Sequence, residues 1–169
     1  MQLKDSGERR EFDSGAVRDC AEGKGREDLL PLATIGSNWA DVILYEIGLF
    51  VETGDVWHIK NAVDEFVKIK YHDTIHPFAC ALMDAAKQYE DGCQKYGDRN
   101  WEKGIPVHCY IDSGVRHYLK WLDKWDDEPH DRAFLWNMFG ALWTVEHLPE
   151  LDDVPHNAMG KEIPHYGED

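Results

Sequence analysis

Asp127-Glu128-Pro129-His130-Asp131-Arg132-Ala133-Phe134-Leu135-Trp136-Asn137-Met138-Phe139-Gly140-Ala141-Leu142-Trp143 carries the strongest fold signal in the chain. Proline is tolerated in the first turn of a helix, so the segment opens as a helix at Asp127-Glu128-Pro129. From Ala133 it is apolar almost all round, and a helix of that kind sits in the middle of a protein. The one polar interruption, Asn137, needs a partner there, either structural or a ligand.

Working upstream, Val107, Tyr110, Ile111, Gly114, Val115, Tyr118 and Leu122 recur at helical spacing, which predicts a helix from about Pro106 to Lys124. Another starts near Pro77 and buries Phe78, Leu82, Ala85 and Tyr89, with Gly92 and Gly97 at its fraying end. Further up, Trp39, Ile43, Ile47 and Phe50 mark a helix capped by Ser37 or Asn38. Gly54-Asp55 breaks it, and Val56, Ile59, Val63, Phe66 and Val67 line a second, so the pair reads as an αα-hairpin. No β-alternation survives inspection. The expected fold is all-α: a bundle of about five helices in a single domain over residues 1–169. Within it lie an irregular arm (1–32), an inserted helical hairpin (33–75), core helices (76–148) and a loose tail (149–169).

The chain has 169 residues, 43% of them apolar, enough for one packed domain. Its formal charge of -15 repels polyphosphate backbones, so duplex nucleic acid is not an expected partner. A small anion still binds where cations cluster or a metal supplies positive charge. No stretch is apolar enough to span a membrane, and the polar start is no signal peptide. Cys20, Cys80, Cys93 and Cys109 are scattered and read as reduced thiols, which points to the cytoplasm, of the host if the chain is phage-encoded.

Three places could carry chemistry. The segment Tyr89 to Gly104 sets Lys95, Arg99 and Lys103 near Tyr96 and Trp101, and cations suit phosphates as aromatic faces suit a base. The same cations would also complement an ordinary helix C-terminus. The predicted helix 106–124 carries Asp112, Arg116 and Lys120 on one stripe with Ser113 and His117 beside it, which i,i+4 pairing explains without a ligand. His130 and Asp131 adjoin at a helix start, where acids are ordinarily caps, although imidazole next to carboxylate is also a way to hold a divalent ion. In the arm, Gly23-Lys24-Gly25-Arg26 invites a phosphate-loop reading but fails both glycine-loop templates.

Three segments resemble the phage family of dATP/dGTP diphosphohydrolases, relatives of the MazG-type all-α pyrophosphohydrolases. They are Ser14-Gly15-Ala16-Val17-Arg18-Asp19 continuing through Gly23-Lys24-Gly25-Arg26 to Asp28-Leu29-Leu30-Pro31; Lys95-Tyr96-Gly97-Asp98-Arg99-Asn100-Trp101-Glu102-Lys103-Gly104; and Ser113 with Arg116-His117, then His130 and Trp136-Asn137. The resemblance implies metal-dependent hydrolysis of purine deoxynucleoside triphosphates between the α and β phosphates, giving a monophosphate and pyrophosphate. It departs from the MazG pattern in lacking a clean Glu-Glu-x-x-Glu, for which Glu90 is the nearest substitute. The segment 33–75 looks like an insertion that covers the pocket or mediates assembly.

On this resemblance Glu90, His130 and Asp131 are the expected catalytic residues. With His117 they would hold a divalent metal, Mg²⁺ or alternatively Mn²⁺ or Co²⁺. Lys24, Arg26, Lys95, Arg99, Lys103 and Arg116 are expected at phosphate, and Tyr96, Asn100, Trp101 and Asn137 elsewhere on the substrate. A small-molecule nucleotide and a second copy of the chain are the expected partners. The enzyme alternative is an HD-type phosphohydrolase that releases triphosphate, with His130-Asp131, an upstream His76 or His117, and Asp152 or Asp153 in the tail. The non-enzymatic alternative is a phage accessory protein that binds a host partner.

Overall fold

The computed structural model describes residues 8–158. Six helices follow in order: α1 (Leu32–Trp39), α2 (Val42–Thr53), α3 (Val56–Lys70), α4 (Pro77–Tyr96), α5 (Val107–Leu122) and α6 (His130–His147). The all-α reading holds. A short antiparallel hairpin precedes them, β1 (Arg9–Glu11) and β2 (Val17–Asp19), with Arg10 opposite Arg18. The arm is therefore not wholly irregular. Its strands are three residues long, too short to show the alternation by which a strand is read from sequence.

Helix α6 lies centrally, as its all-round apolar pattern predicts, with Phe134, Leu135, Met138 and Ala141 fully buried. It packs most extensively on α5. Two glycines let the pair approach closely. A Cβ on Gly140 would lie 2.3 Å from the Tyr110 ring, and one on Gly114 would lie 2.4 Å from the Met138 methyl. That close packing places His117 of α5 against His130 of α6.

Residues 33–75 hold three helices rather than a hairpin. The predicted helix from Ser37 breaks at Ala40, whose φ of 55° is left-handed. Asp41 then caps α2, accepting from the Leu44 N–H at 3.0 Å, so neither Ser37 nor Asn38 is the cap. Trp39 ends α1 with 76% of its surface exposed instead of joining the core. Asp55 caps α3 in the same way, through the Trp57 N–H.

Two further expectations are corrected by packing. Phe78 and Leu82 face outward from α4, whose buried residues are Ala81 and Ala85. Helical spacing marks a stripe but not which neighbour covers it. The tail is not loose over its described part. Val154 is buried, the His156 ring packs edge-on against Phe50 at 5.7 Å, and the Ala158 N–H donates to the Glu52 carbonyl at 2.7 Å. Residues 159–169 of that tail, and 1–7 of the arm, lie outside the described residues. All four cysteines are free thiols. No helix among the described residues is long and apolar enough to cross a membrane.

Candidate active site

A cavity of about 660 Å³ opens where the arm crosses the α4–α5–α6 core. Its lining combines β2 and the turn after it, the C-terminal half of α4, one face of α5, the loop before α6, and Ala133, Trp136 and Asn137 of α6. No residue of 33–75 lines it, so that segment does not cover this cavity.

At one end, His117, Glu128 and His130 bring one ligand atom each within 4.8 Å of one another. The two Nδ1 atoms face each other at 2.9 Å, and Glu128 Oε1 lies 3.7 Å from the first and 3.8 Å from the second. His130 is buried, and its Nε2 meets Asp127 at 2.8 Å. That contact fixes the ring and leaves Nδ1 facing the cluster, a carboxylate–histidine arrangement typical of metal ligands. Burial, with neighbouring His130 and the cations Arg116, Arg18 and Lys120, pushes the His117 pKa down to about 3, so its imidazole is neutral. Burial opposes ionisation of Asp127, yet hydrogen bonds with His130 and Lys120 hold its carboxyl below the usual range. Two imidazoles and a carboxylate suit a divalent transition ion.

Glu90 stands apart, exposed on the outer side of α4 and outside the cavity lining. Asp131 points the other way, to Lys70 Nζ at 2.9 Å. Glu128 supplies the carboxylate at the cluster. Its signal was present in the acidic run before Pro129, but spacing could not say which acid turns inward.

The Lys95-to-Gly104 segment is placed in an unexpected way. Lys95 Nζ and the Tyr96 hydroxyl both donate to Asp19, each at 2.6 Å. The buried Asn100 clamps the Val17 peptide, accepting from its N–H at 3.0 Å and donating to its carbonyl at 2.8 Å. These three residues therefore grip β2 on either side of Arg18, and all three line the cavity. Arg99 is exposed and pairs with Glu102. Lys103 reaches toward the Gly15 carbonyl, and Trp101 packs between the rings of Tyr89 and Trp143. None of these last three lines the cavity.

On α5, burial opposes charge on Arg116, but the carboxylates of Glu27 and Asp112 raise its pKa. It also donates to the carbonyls of Lys24 and Gly25, which pins the glycine turn and sets Lys24 at the cavity rim. Arg26 instead forks onto Asp28 and lines a separate cavity. The HD constellation does not assemble: Asp152 pairs with His156, Asp153 with His108, and His76 sits exposed before α4.

The chain matches, over residues 64–154, the family described as dATP/dGTP diphosphohydrolase, N-terminal. It belongs to the dATP/dGTP diphosphohydrolase family. The match runs from within α3 through α6 to Val154 and so contains the histidine cluster. The hairpin β1–β2, which supplies Arg18 and Asp19 to the cavity of this diphosphohydrolase, lies outside it. No curated protein and no solved structure matches the chain.

Proposed function

We propose that this enzyme hydrolyses dATP and dGTP at the 660 Å³ cavity, cutting between the α and β phosphates to leave a monophosphate and pyrophosphate. The observation that carries this reading is the convergence of His117, Glu128 and His130 at a cavity also lined by Lys24, Arg116 and Lys120. Those three protein ligands would hold a divalent ion, with Asp127 orienting His130. Such an ion supplies positive charge against the triphosphate and makes water a better nucleophile. The donor set favours Mn²⁺ or Co²⁺ over Mg²⁺, which prefers oxygen ligands alone.

The chain's own residues bind and orient. Lys24 at the rim and Lys120 beside Asp127 offer positive charge to phosphate oxygens. Lys95, Tyr96 and Asn100 hold β2 in place, so they act on substrate through the strand they fix. A homo-oligomer remains part of this reading, because Phe78, Leu82 and Met83 leave exposed apolar area on α4 that a second copy would cover. Sedimentation of the purified protein tests that point.

Incubating dGTP or dATP with the protein and Mg²⁺, Mn²⁺ or Co²⁺, then resolving products by anion exchange, tests the reaction. The expected products are dGMP or dAMP with pyrophosphate. Release of deoxynucleoside with intact triphosphate would overturn it, and absence of turnover with any of the three metals would favour a non-enzymatic role.

A further inference from the structure

Among the described residues, two side chains that line the cavity carry a buried polar atom with no hydrogen-bond partner. They are Arg18, through its donor Nη1, and Gln88, through its acceptor Oε1. Buried polar groups are normally paired, and each exception calls for an explanation. Nor does Arg18 pair with a carboxylate among the described residues. Its other terminal nitrogen, Nη2, donates to Asn137 Oδ1 at 2.9 Å, and its guanidinium lies 5.2 Å from the ring centroids of both Tyr110 and Trp136. Asn137 is held in turn by the Ala133 carbonyl at 2.8 Å. The β2 cradle and Asn137 thus fix a guanidinium in an aromatic setting with its buried Nη1 unpaired.

Two facts decide what would use it. Asn137 comes seven residues after His130 on α6, about 10 Å along the helix axis, which is the reach from a phosphate chain to its base. A phosphate offers acceptors only and would leave Gln88 Oε1 unsatisfied, whereas a nucleobase edge carries donors and acceptors together.

We propose that Arg18 and Gln88 read the Hoogsteen edge of a purine base. Arg18 Nη1 donates to N7, which adenine and guanine share. The Gln88 amide meets position 6, accepting from the adenine amino group or, turned over, donating to the guanine carbonyl oxygen. An amide that works in either orientation lets one pocket take both purines, while pyrimidines, which lack N7, forfeit the Arg18 contact. The Trp136 ring supplies a wall of the same pocket. Asn137 is a positioning residue in this arrangement, and Arg18 and Gln88 determine specificity. The inference rests on the cavity being a deoxynucleotide site, but not on which phosphate bond breaks.

The test is calorimetric binding of dGMP, dAMP and 7-deaza-dGMP, in which carbon replaces N7, with inorganic tripolyphosphate as the phosphate-only probe. On the wild-type protein 7-deaza-dGMP is expected to bind about tenfold more weakly than dGMP, the size of one base-edge contact. In Arg18→Met that difference should shrink to within about twofold, while tripolyphosphate binding stays unchanged. Gln88→Met should weaken dAMP and dGMP alike and keep the N7 penalty. Equal binding of dGMP and 7-deaza-dGMP to the wild type would overturn the proposal without any variant having to fold. So would failure of either monophosphate to bind, or an Arg18→Met protein that loses tripolyphosphate but keeps the N7 penalty. A protein that shows the N7 penalty yet releases no pyrophosphate from dGTP would retire the proposed reaction and leave the base reading intact.

Discussion

The cradle beneath β2 and the histidine cluster lie on the same cavity, but one is closed and the other open. In the cradle, Asp19 takes hydrogen bonds from Lys95 and Tyr96, and Asn100 both accepts from and donates to the Val17 peptide. Those charges and amides answer one another. In the cluster, two imidazole Nδ1 atoms face each other at 2.9 Å while the Glu128 carboxylate stands beyond hydrogen-bonding distance of both. The two imidazoles hydrogen-bond only with each other across that gap, and the Glu128 oxygen converges on the same space without bonding to either. The difference teaches that a dense run of Lys, Arg, Tyr and Trp is not by itself a binding surface. What a ligand can use is the polar capacity that the fold leaves unspent.

Breaking the open cluster should cost most activity and less stability than breaking the cradle. His117→Asn or His130→Asn is expected to lower dGTP turnover by about a hundredfold or more at limiting metal, with the helical circular dichroism signal retained. Retained turnover in either variant would remove that residue from the metal site. One step back, Asp127→Asn should cost roughly 10–100-fold in metal affinity or activity, recovered in part at high metal concentration.

Breaking the closed cradle should do the reverse. Asp19→Asn removes the charge that Lys95 and Tyr96 share and is expected to destabilise the protein by about 1–3 kcal/mol in a denaturant titration. Activity should fall with it because Arg18 is presented less firmly. If the Michaelis constant for triphosphate rose steeply while stability was unchanged, Lys95 would belong with the phosphate ligands and the contrast would collapse.

A third site, outside both, gives a pH test. His108 hydrogen-bonds with the Cys109 sulfur and with Asp153, which together raise its pKa to about 9 from 6.5. Because the folded-state value is the higher one, this contact contributes fully below pH 6.5 and is lost as pH rises through about 9. Thermal stability should therefore fall over that window, and Asp153→Asn should flatten part of the fall. The smallest effects are expected from Glu90→Gln and Asp131→Asn, within about 0.5 kcal/mol of stability and about twofold of activity. Abolished turnover in either would return that carboxylate to the site.

The helices were largely legible because their signal is local. Apolar spacing, the proline that opens α4, those just before α5 and α6, and the Gly54-Asp55 break are each written within a few residues. Less legible were features set by neighbours. The break at Ala40 follows from α1 folding back so closely on α2 that a Cβ on Gly48 would meet the Ala33 backbone at 2.0 Å. The outward Phe78 and Leu82 follow from what packs on α4 and what does not. Of the candidate site, His117 and His130 were expected as ligands from the sequence, Glu128, Arg18 and Gln88 were given no role, and Lys95 was read as a ligand without its tie to Asp19.

The linear order of residues was enough to show an acidic, mostly helical chain built around a buried helix late in its course, and its motifs pointed to the family it belongs to. Helical period acts over one or two turns, so a linear reading captures it. The tertiary structure was needed to show that Glu128 rather than Asp131 joins the histidines, and that the most cationic segment grips a strand 76 to 83 residues away. Among the described residues, it alone left Arg18 and Gln88 each with a buried atom unpaired in one cavity. Charge pairing and burial are settled by whichever groups meet across helices, and that meeting has no period to read.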